Sequence, residues 1–256
     1  MASTTGVPPR RPSQNEEEAV VRDETEGEPL LGRPGDASQP EGKSALNNLV
    51  LGTGIIAQLG IGLLLVLVWA SVLSKPVILF SGHPLSQSLA VAILVQSVLF
   101  LQPTHTSDQK LAGQRVHASL NLLALAALAV GVALVEANKA RSHGPHMHSA
   151  HAWAGAVALA AMAAQYLVGF TMWAAPALYG GEDRAKAVWK YHRWSGYAIL
   201  LLLLVTVNLA TETDYVRNVL KLKLWAVFLL SVVVALGVYP RIQKQKLGLG
   251  GSRIAL

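Results

Sequence analysis

Four of the chain's eight histidines fall within nine residues, in the stretch His143-Gly-Pro-His146-Met-His148-Ser-Ala-His151. Imidazole binds metals through a neutral ring nitrogen and titrates near neutrality, so such a cluster marks ligand or proton chemistry. The pentapeptide His151-Ala-Trp-Ala-Gly155 recurs as His192-Arg-Trp-Ser-Gly196, each at the mouth of a long apolar run. Two other apolar runs carry His83 and His117 near their starts. The chain contains no cysteine, which excludes a disulfide, a thiolate metal site, an iron–sulfur cluster and a covalent Cys-x-x-Cys-His haem attachment.

The elements that must position these residues are membrane spans. Hydrophobic residues make up 52% of the 256 and charged ones only 14%, too apolar a balance for an ordinary soluble domain. The apolar residues fall in six blocks of about 20 to 25, long enough to cross a hydrocarbon core of about 30 Å. The expected fold class is an all-α membrane protein with six transmembrane helices. The spans are expected over 46–73, 77–101, 116–135, 151–178, 191–210 and 219–239. Polar loops are expected at 102–115 and 180–190, and Lys221 and Lys223 in the first turn of the sixth span. Glycines at 52, 54, 60 and 62 would permit close packing of the first span.

Residues 1–45 are rich in Pro, Gly, Ser and Glu without an apolar period and read as a disordered tail. Within it, Glu26-Gly-Glu-Pro-Leu-Leu31 has the form of an acidic dileucine sorting signal, which favours a vacuolar or endolysosomal membrane. The expected organisation is thus a tail over 1–45, a six-span domain over 46–239 and a second tail over 240–256. Fifteen of the 21 Lys and Arg residues fall on the side that carries both termini, and by the positive-inside rule that side is cytosolic. The net charge of +6 therefore reports membrane topology, not nucleic-acid binding.

Alternating span direction sorts the histidines by depth. The second and fourth spans run the same way, and each starts with a histidine, His83 and His151. The third and fifth run the other way and start with His117 and His192. Ionisable residues at membrane depth are costly and face the bundle interior, so four of them in two depth-matched pairs point to function. Two facing neutral imidazoles suit an octahedral iron held in a planar macrocycle, whereas zinc would want four tetrahedral ligands and each depth offers two. Gly155 and Gly196 lie one turn beyond His151 and His192 on the same helix face, where a side chain would meet a porphyrin. Asn121, one turn beyond His117, is placed to support that ligand or to pack helices. Trp153 and Trp194 suit interfacial anchoring.

These elements resemble the cytochrome b561 family: His83-Pro84-Leu85 in the second span, Lys110 and Arg115 ahead of His117, Ser149-Ala-His151 with Gly155, and Tyr191-His192 with Gly196. The resemblance covers about residues 46–239. It implies a central four-helix bundle holding two non-covalent b haems, one ligated by His83 and His151 on the non-cytosolic side and one by His117 and His192 on the cytosolic side. It further implies one-electron transfer from a cytosolic donor such as ascorbate to monodehydroascorbate or a ferric chelate, in contact with membrane lipid and compatible with a homodimer. Lys110, Arg115, Lys186 and Lys190 are candidate contacts for an anionic donor, and His148, with His143 and His146, for the acceptor. The run His83-Pro-Leu-Ser-Gln departs from the family, which often has methionine after His-Pro-Leu, and Lys110 and Arg115 stand where the ascorbate-using branch has a set of lysines. A rival reading is a haem-free divalent-metal carrier that collects a cation at His143, His146 and His148 and relays it along the membrane histidines. It is opposed by the lack of an acidic residue well inside any span. A structural protein that kept the fold without the cofactor would have no reason to retain all four ligands.

Overall fold

A computed structural model of the chain describes residues 36–247. The dileucine-like stretch at 26–31 and the tail at 248–256 lie outside the described residues. Six helices long and apolar enough to cross a membrane are present, and the protein is a multi-pass membrane protein. They are α1 (Gly54–Leu73), α2 (Gly82–Leu101), α3 (Ser107–Ser142), α4 (Ala150–Ala174), α5 (Glu182–Ala210) and α6 (Leu224–Val238). They alternate in direction. One end of the bundle therefore carries residues 36–53 and 239–247, the terminal end, and the other is the distal end.

Helices α2 to α5 form the centre, with α2 packed on α3, α4 on α5 and α3 on α4. The α1–α6 pair lies against this group through α2 and α5. α1 and α6 approach backbone to backbone, because a Cβ at Gly237 would overlap the Ala57 main chain and one at Gly60 would stand 2.8 Å from Val234 N. Small residues are how membrane helices gain dispersion contacts where lipid provides no hydrophobic drive. Thr53 Oγ1 donates to the Gly237 carbonyl at 2.8 Å across the same seam. Large apolar side chains such as Leu59, Val66, Leu122, Val157, Leu229 and Leu236 are exposed around the bundle, as lipid-facing positions are.

Several helices run beyond the expected apolar limits. α3 is 36 residues long, about 54 Å at 1.5 Å per residue, and it absorbs Lys110 and Arg115 at one end and Glu136, Lys139 and Arg141 at the other, all expected in loops. Its start is set by Thr106, whose side chain accepts from Gln109 N at 3.3 Å, while the Gln109 amide oxygen accepts from His105 N at 3.2 Å. Its end is the left-handed His143 (φ 52°). The expected charged loop at 180–190 is likewise mostly helix. Gly180 and Gly181 turn with positive φ, and α5 opens with Glu182 and Asp183, which favour a helix N-terminus. Lys221 and Lys223 precede the sixth span: Lys221 closes a π-helical turn over Val216–Leu220 in the left-handed conformation, and Lys223 is the N-cap of α6. Hydropathy locates the lipid boundary, whereas the hydrogen-bond ladder continues through the headgroup region.

The terminal end is tied down by main-chain and side-chain bonds. Asn48 Nδ2 donates to Gln39 Oε1 at 2.8 Å and to the Phe100 carbonyl at 2.9 Å. Arg241, 5% exposed, donates through Nη2 to the carbonyls of Asn48 (2.8 Å) and Leu99 (3.3 Å). Residues 36–45 and 240–247, expected within the tails, thus pack on the bundle where they are described.

Candidate functional site

His83 and His151 occupy the first turns of α2 and α4 at the distal end, with ring centroids 6.0 Å apart and planes at 85°. His117 and His192 lie three turns into α3 and α5 toward the terminal end, with centroids 6.4 Å apart and planes at 78°. The pairing by depth is therefore present in space. Within its pair each histidine comes from a different helix pair, one from α2–α3 and one from α4–α5.

The other ring nitrogens reveal the local design. His83 Nδ1 lies 2.9 Å from the Gly131 carbonyl and His151 Nδ1 2.9 Å from the Thr206 carbonyl. A carbonyl only accepts, so Nδ1 carries the proton in both rings and Nε2 keeps its lone pair for a ligand. His117 Nδ1 lies 2.8 Å from Ser97 Oγ and 3.3 Å from the Ser97 carbonyl, which selects the same tautomer. Asn121 Nδ2 donates to Ser97 Oγ (2.5 Å) and to the His117 carbonyl (2.6 Å), so it supports His117 through Ser97. Among the described residues, His192 Nδ1 is buried without a hydrogen-bond partner.

A regular spacing underlies these contacts. Ser97, Gly131, Gln165 and Thr206 each follow the histidine of their own helix by fourteen residues, and each lies beside the histidine of the neighbouring helix. Fourteen residues are nearly four helical turns, so each helix shows its histidine and its supporting position on one face, about 21 Å apart. The two pairs are separated along the bundle by that distance. No apolar-period reading could find this, because two of the four partners act through backbone carbonyls that have no side-chain signature.

A cavity of about 620 Å³ opens around the terminal-end pair, within the range of small-molecule and cofactor sites. Its lining includes His117, His192, Gly169 and Gly196 with apolar side chains of α2 to α5. Lys110 and Arg115 line it. Arg193, Arg241 and Lys246 do so too, and the sequence reading had not singled them out as site residues. Lys246 Nζ donates to the Thr104 carbonyl at 2.7 Å, and Arg193 Nη1 to the Lys246 carbonyl at 2.6 Å. The other lysine candidates stand elsewhere: Lys186 is 4.0 Å from Glu182 Oε2, and Lys190 Nζ is 5.0 Å from the Tyr191 ring centroid.

The flanking groups divide. Gly196 leaves room for the Gln165 amide, since a Cβ there would be 3.1 Å from its Nε2, and a Cβ at Gly155 would make only an ordinary contact with the Thr206 methyl at 3.8 Å. Trp153 (61% exposed) and Trp194 (48%) face outward, as anchors do. In the distal loop His146 Nδ1 donates to Glu136 Oε2 at 2.5 Å, with Lys139 Nζ 3.4 Å from Glu136 Oε1. His148 is exposed, its Nδ1 3.2 Å from the Pro145 carbonyl. Among the described residues no three His, Cys, Asp or Glu side chains gather into a metal-binding group, His143, His146 and His148 included.

The family profile described as eukaryotic cytochrome b561 matches residues 76–217, which contain all four membrane histidines. A probable transmembrane reductase of Homo sapiens, CYB561D1, is 30% identical over 208 residues, covering 78% of this chain and 86% of that protein. The lysosomal membrane ascorbate-dependent ferrireductase CYB561A3 of Rattus norvegicus is 27% identical over 133 residues, 51% of each chain. The transmembrane ascorbate-dependent reductase CYB561 of Bos taurus is 27% identical over 134 residues, 52% of each. With its six spans and a profile match across more than half its length, the chain belongs to the cytochrome b561 family of haem-binding membrane proteins.

Proposed function

We propose that the protein is a transmembrane reductase that passes single electrons through two non-covalent b haems, from an ascorbate-like donor at the terminal end to monodehydroascorbate or a ferric chelate at the distal end. The observation that carries this reading is the pair of facing imidazoles at each end, at centroid separations of 6.0 and 6.4 Å. With a metal–imidazole bond of about 2 Å, such separations would suit two imidazoles sharing one metal ion. The donor set fits as well: three of the four rings have Nδ1 hydrogen-bonded, which leaves Nε2 for iron. His83 and His151 would hold one haem and His117 and His192 the other, each haem seated between the α2–α3 and α4–α5 pairs.

Haem supplies one-electron chemistry, ferric to ferrous, without atom transfer. The protein's part would be to hold each haem between two imidazoles, His83 with His151 and His117 with His192, a set that favours electron transfer over oxygen binding. It also orients the rings through the Gly131, Thr206 and Ser97 acceptors, which raise ligand basicity. The apolar side chains of α2 to α5 that line the cavity would exclude water from a group held there. Lys110 and Arg115 give the cavity mouth a positive potential that draws an anionic donor. At the distal end the Glu136–His146 pair and the exposed His148 border the acceptor's approach.

We place the terminal end in the cytosol on the distribution of Lys and Arg, and an endolysosomal membrane agrees with the lysosomal membrane of the rat relative. The test is transport in sealed vesicles. Purified protein with haem should be inserted into liposomes, ascorbate trapped inside and ferricyanide or ferric citrate supplied outside. Acceptor reduction that requires the haem-loaded protein is expected. Reduction no faster than in empty liposomes overturns the proposal.

A further inference from the structure

Three of the four membrane histidines are held by a hydrogen bond at Nδ1. His192 is the exception, although the residue in register with it on α4 is the polar Gln165. That side chain grips the backbone instead: Gln165 Nε2 donates to the His192 carbonyl at 2.6 Å, and its Oε1 accepts from Ser195 Oγ at 2.7 Å. One turn further along the same face of α4, Gly169 stands against the ring. A Cβ at that position would lie 2.7 Å from His192 Cε1, 3.3 Å from Nε2 and 3.5 Å from Nδ1. Such an approach requires the imidazole to move, because ordinary carbon contacts are about 3.5–4.0 Å.

We propose that Gln165 and Gly169 are the positioning residues of His192, fixing its ring through the backbone of its turn and the bare surface of α4 in place of an Nδ1 acceptor. The proposal rests on the reading of His192 as a haem ligand. Its geometry has two consequences. An imidazole tied to its site by iron cannot retreat from a methyl group at 169, so a side chain there strains the iron bond. Gln165, in turn, anchors the turn from which His192 projects, and Gly196 on α5 leaves the space its amide occupies. Among the described residues, the rings of His83, His151 and His117 have an Nδ1 hydrogen bond and that of His192 does not.

Simple α4–α5 packing predicts something different. A packing role lowers the melting temperature and affects both haems alike, whereas a positioning role alters one haem and leaves the other as an internal reference. The full-length haem-loaded protein should be prepared as wild type, Gly169→Ala, Gln165→Leu and His192→Ala. The readouts are the low-spin EPR signals, the two midpoint potentials and the rate of haem transfer to apomyoglobin. For Gly169→Ala and Gln165→Leu, one EPR signal and one potential should shift, and that haem should leave at least about tenfold faster, the lower end of the effect of ligand-supporting groups. The affected haem should be the one that His192→Ala removes. Unchanged signals with a lowered melting temperature, or equal changes in both haems, overturn the proposal. If Gly169→Ala does not fold, Gln165→Leu decides on the same criteria. Retention of two haems by His192→Ala refutes the ligand reading itself, an outcome separate from failure of the positioning role.

Discussion

Replacing Ser97 with alanine isolates one hydrogen-bonding group beneath His117 without touching a ligand. Ser97 is fully buried, and its hydroxyl meets three partners: His117 Nδ1 at 2.8 Å, Asn121 Nδ2 at 2.5 Å and the His117 carbonyl at 3.3 Å. Loss of the hydroxyl affects these unequally. Asn121 keeps its bond to the His117 carbonyl at 2.6 Å, so its amide is not stranded. The Nδ1 proton keeps only the Ser97 carbonyl, at 3.3 Å. A buried donor left with no acceptor costs about 1–3 kcal/mol, and the remaining long bond places this case near the lower half, about 1–2 kcal/mol. That corresponds to a weakening of haem retention of roughly 5- to 30-fold, consistent with the 10- to 100-fold typical of groups that support metal ligands. The assay is haem transfer from the purified protein to apomyoglobin, followed by absorbance. One of two kinetic phases should accelerate, and it should be the phase abolished in His117→Ala. Acceleration of the other phase, or none at all, refutes the assignment of Ser97 to His117.

Further outcomes follow from the same geometry. His83→Ala should remove one haem, leaving the His117–His192 haem spectroscopically present; loss of both with the fold intact, measured as haem per chain, contradicts the pairing. Gly237→Ala drives a methyl group into the Ala57 backbone and should destabilise the α1–α6 contact by about 1–3 kcal/mol, seen as a lower melting temperature. Converting Lys110 and Arg115 together to glutamine should raise the apparent KM for ascorbate and flatten its dependence on ionic strength, with kcat much less affected. An unchanged KM would remove these residues from donor binding.

Much of the bundle was legible because lipid imposes a simple rule: uninterrupted apolar length marks a span, and alternating direction then sorts His83 with His151 and His117 with His192. Helix length was not legible. α3 continues beyond the lipid at both ends because Thr106 and Gln109 cap one end and a left-handed His143 closes the other, signals that hydropathy does not register. Nor could the places of Arg241 and Lys246 in the cavity wall be read, since they reach it only after the segment following α6 folds back onto Gln102, Thr104 and Asn48. The supports of His83 and His151 were hidden for another reason. Gly131 and Thr206 act through their carbonyls, and any residue type offers a carbonyl. The glycines taken as room for a macrocycle were assigned by spacing alone; beside His192 the close approach is made by Gly169 on the facing helix.

The most direct test of the account is haem stoichiometry with ligand spectroscopy on the purified wild-type protein. Two haems per chain, both low-spin with bis-imidazole EPR signatures and both reduced by ascorbate, are predicted. One haem per chain, a high-spin iron with an open axial position, or no haem at all would contradict it.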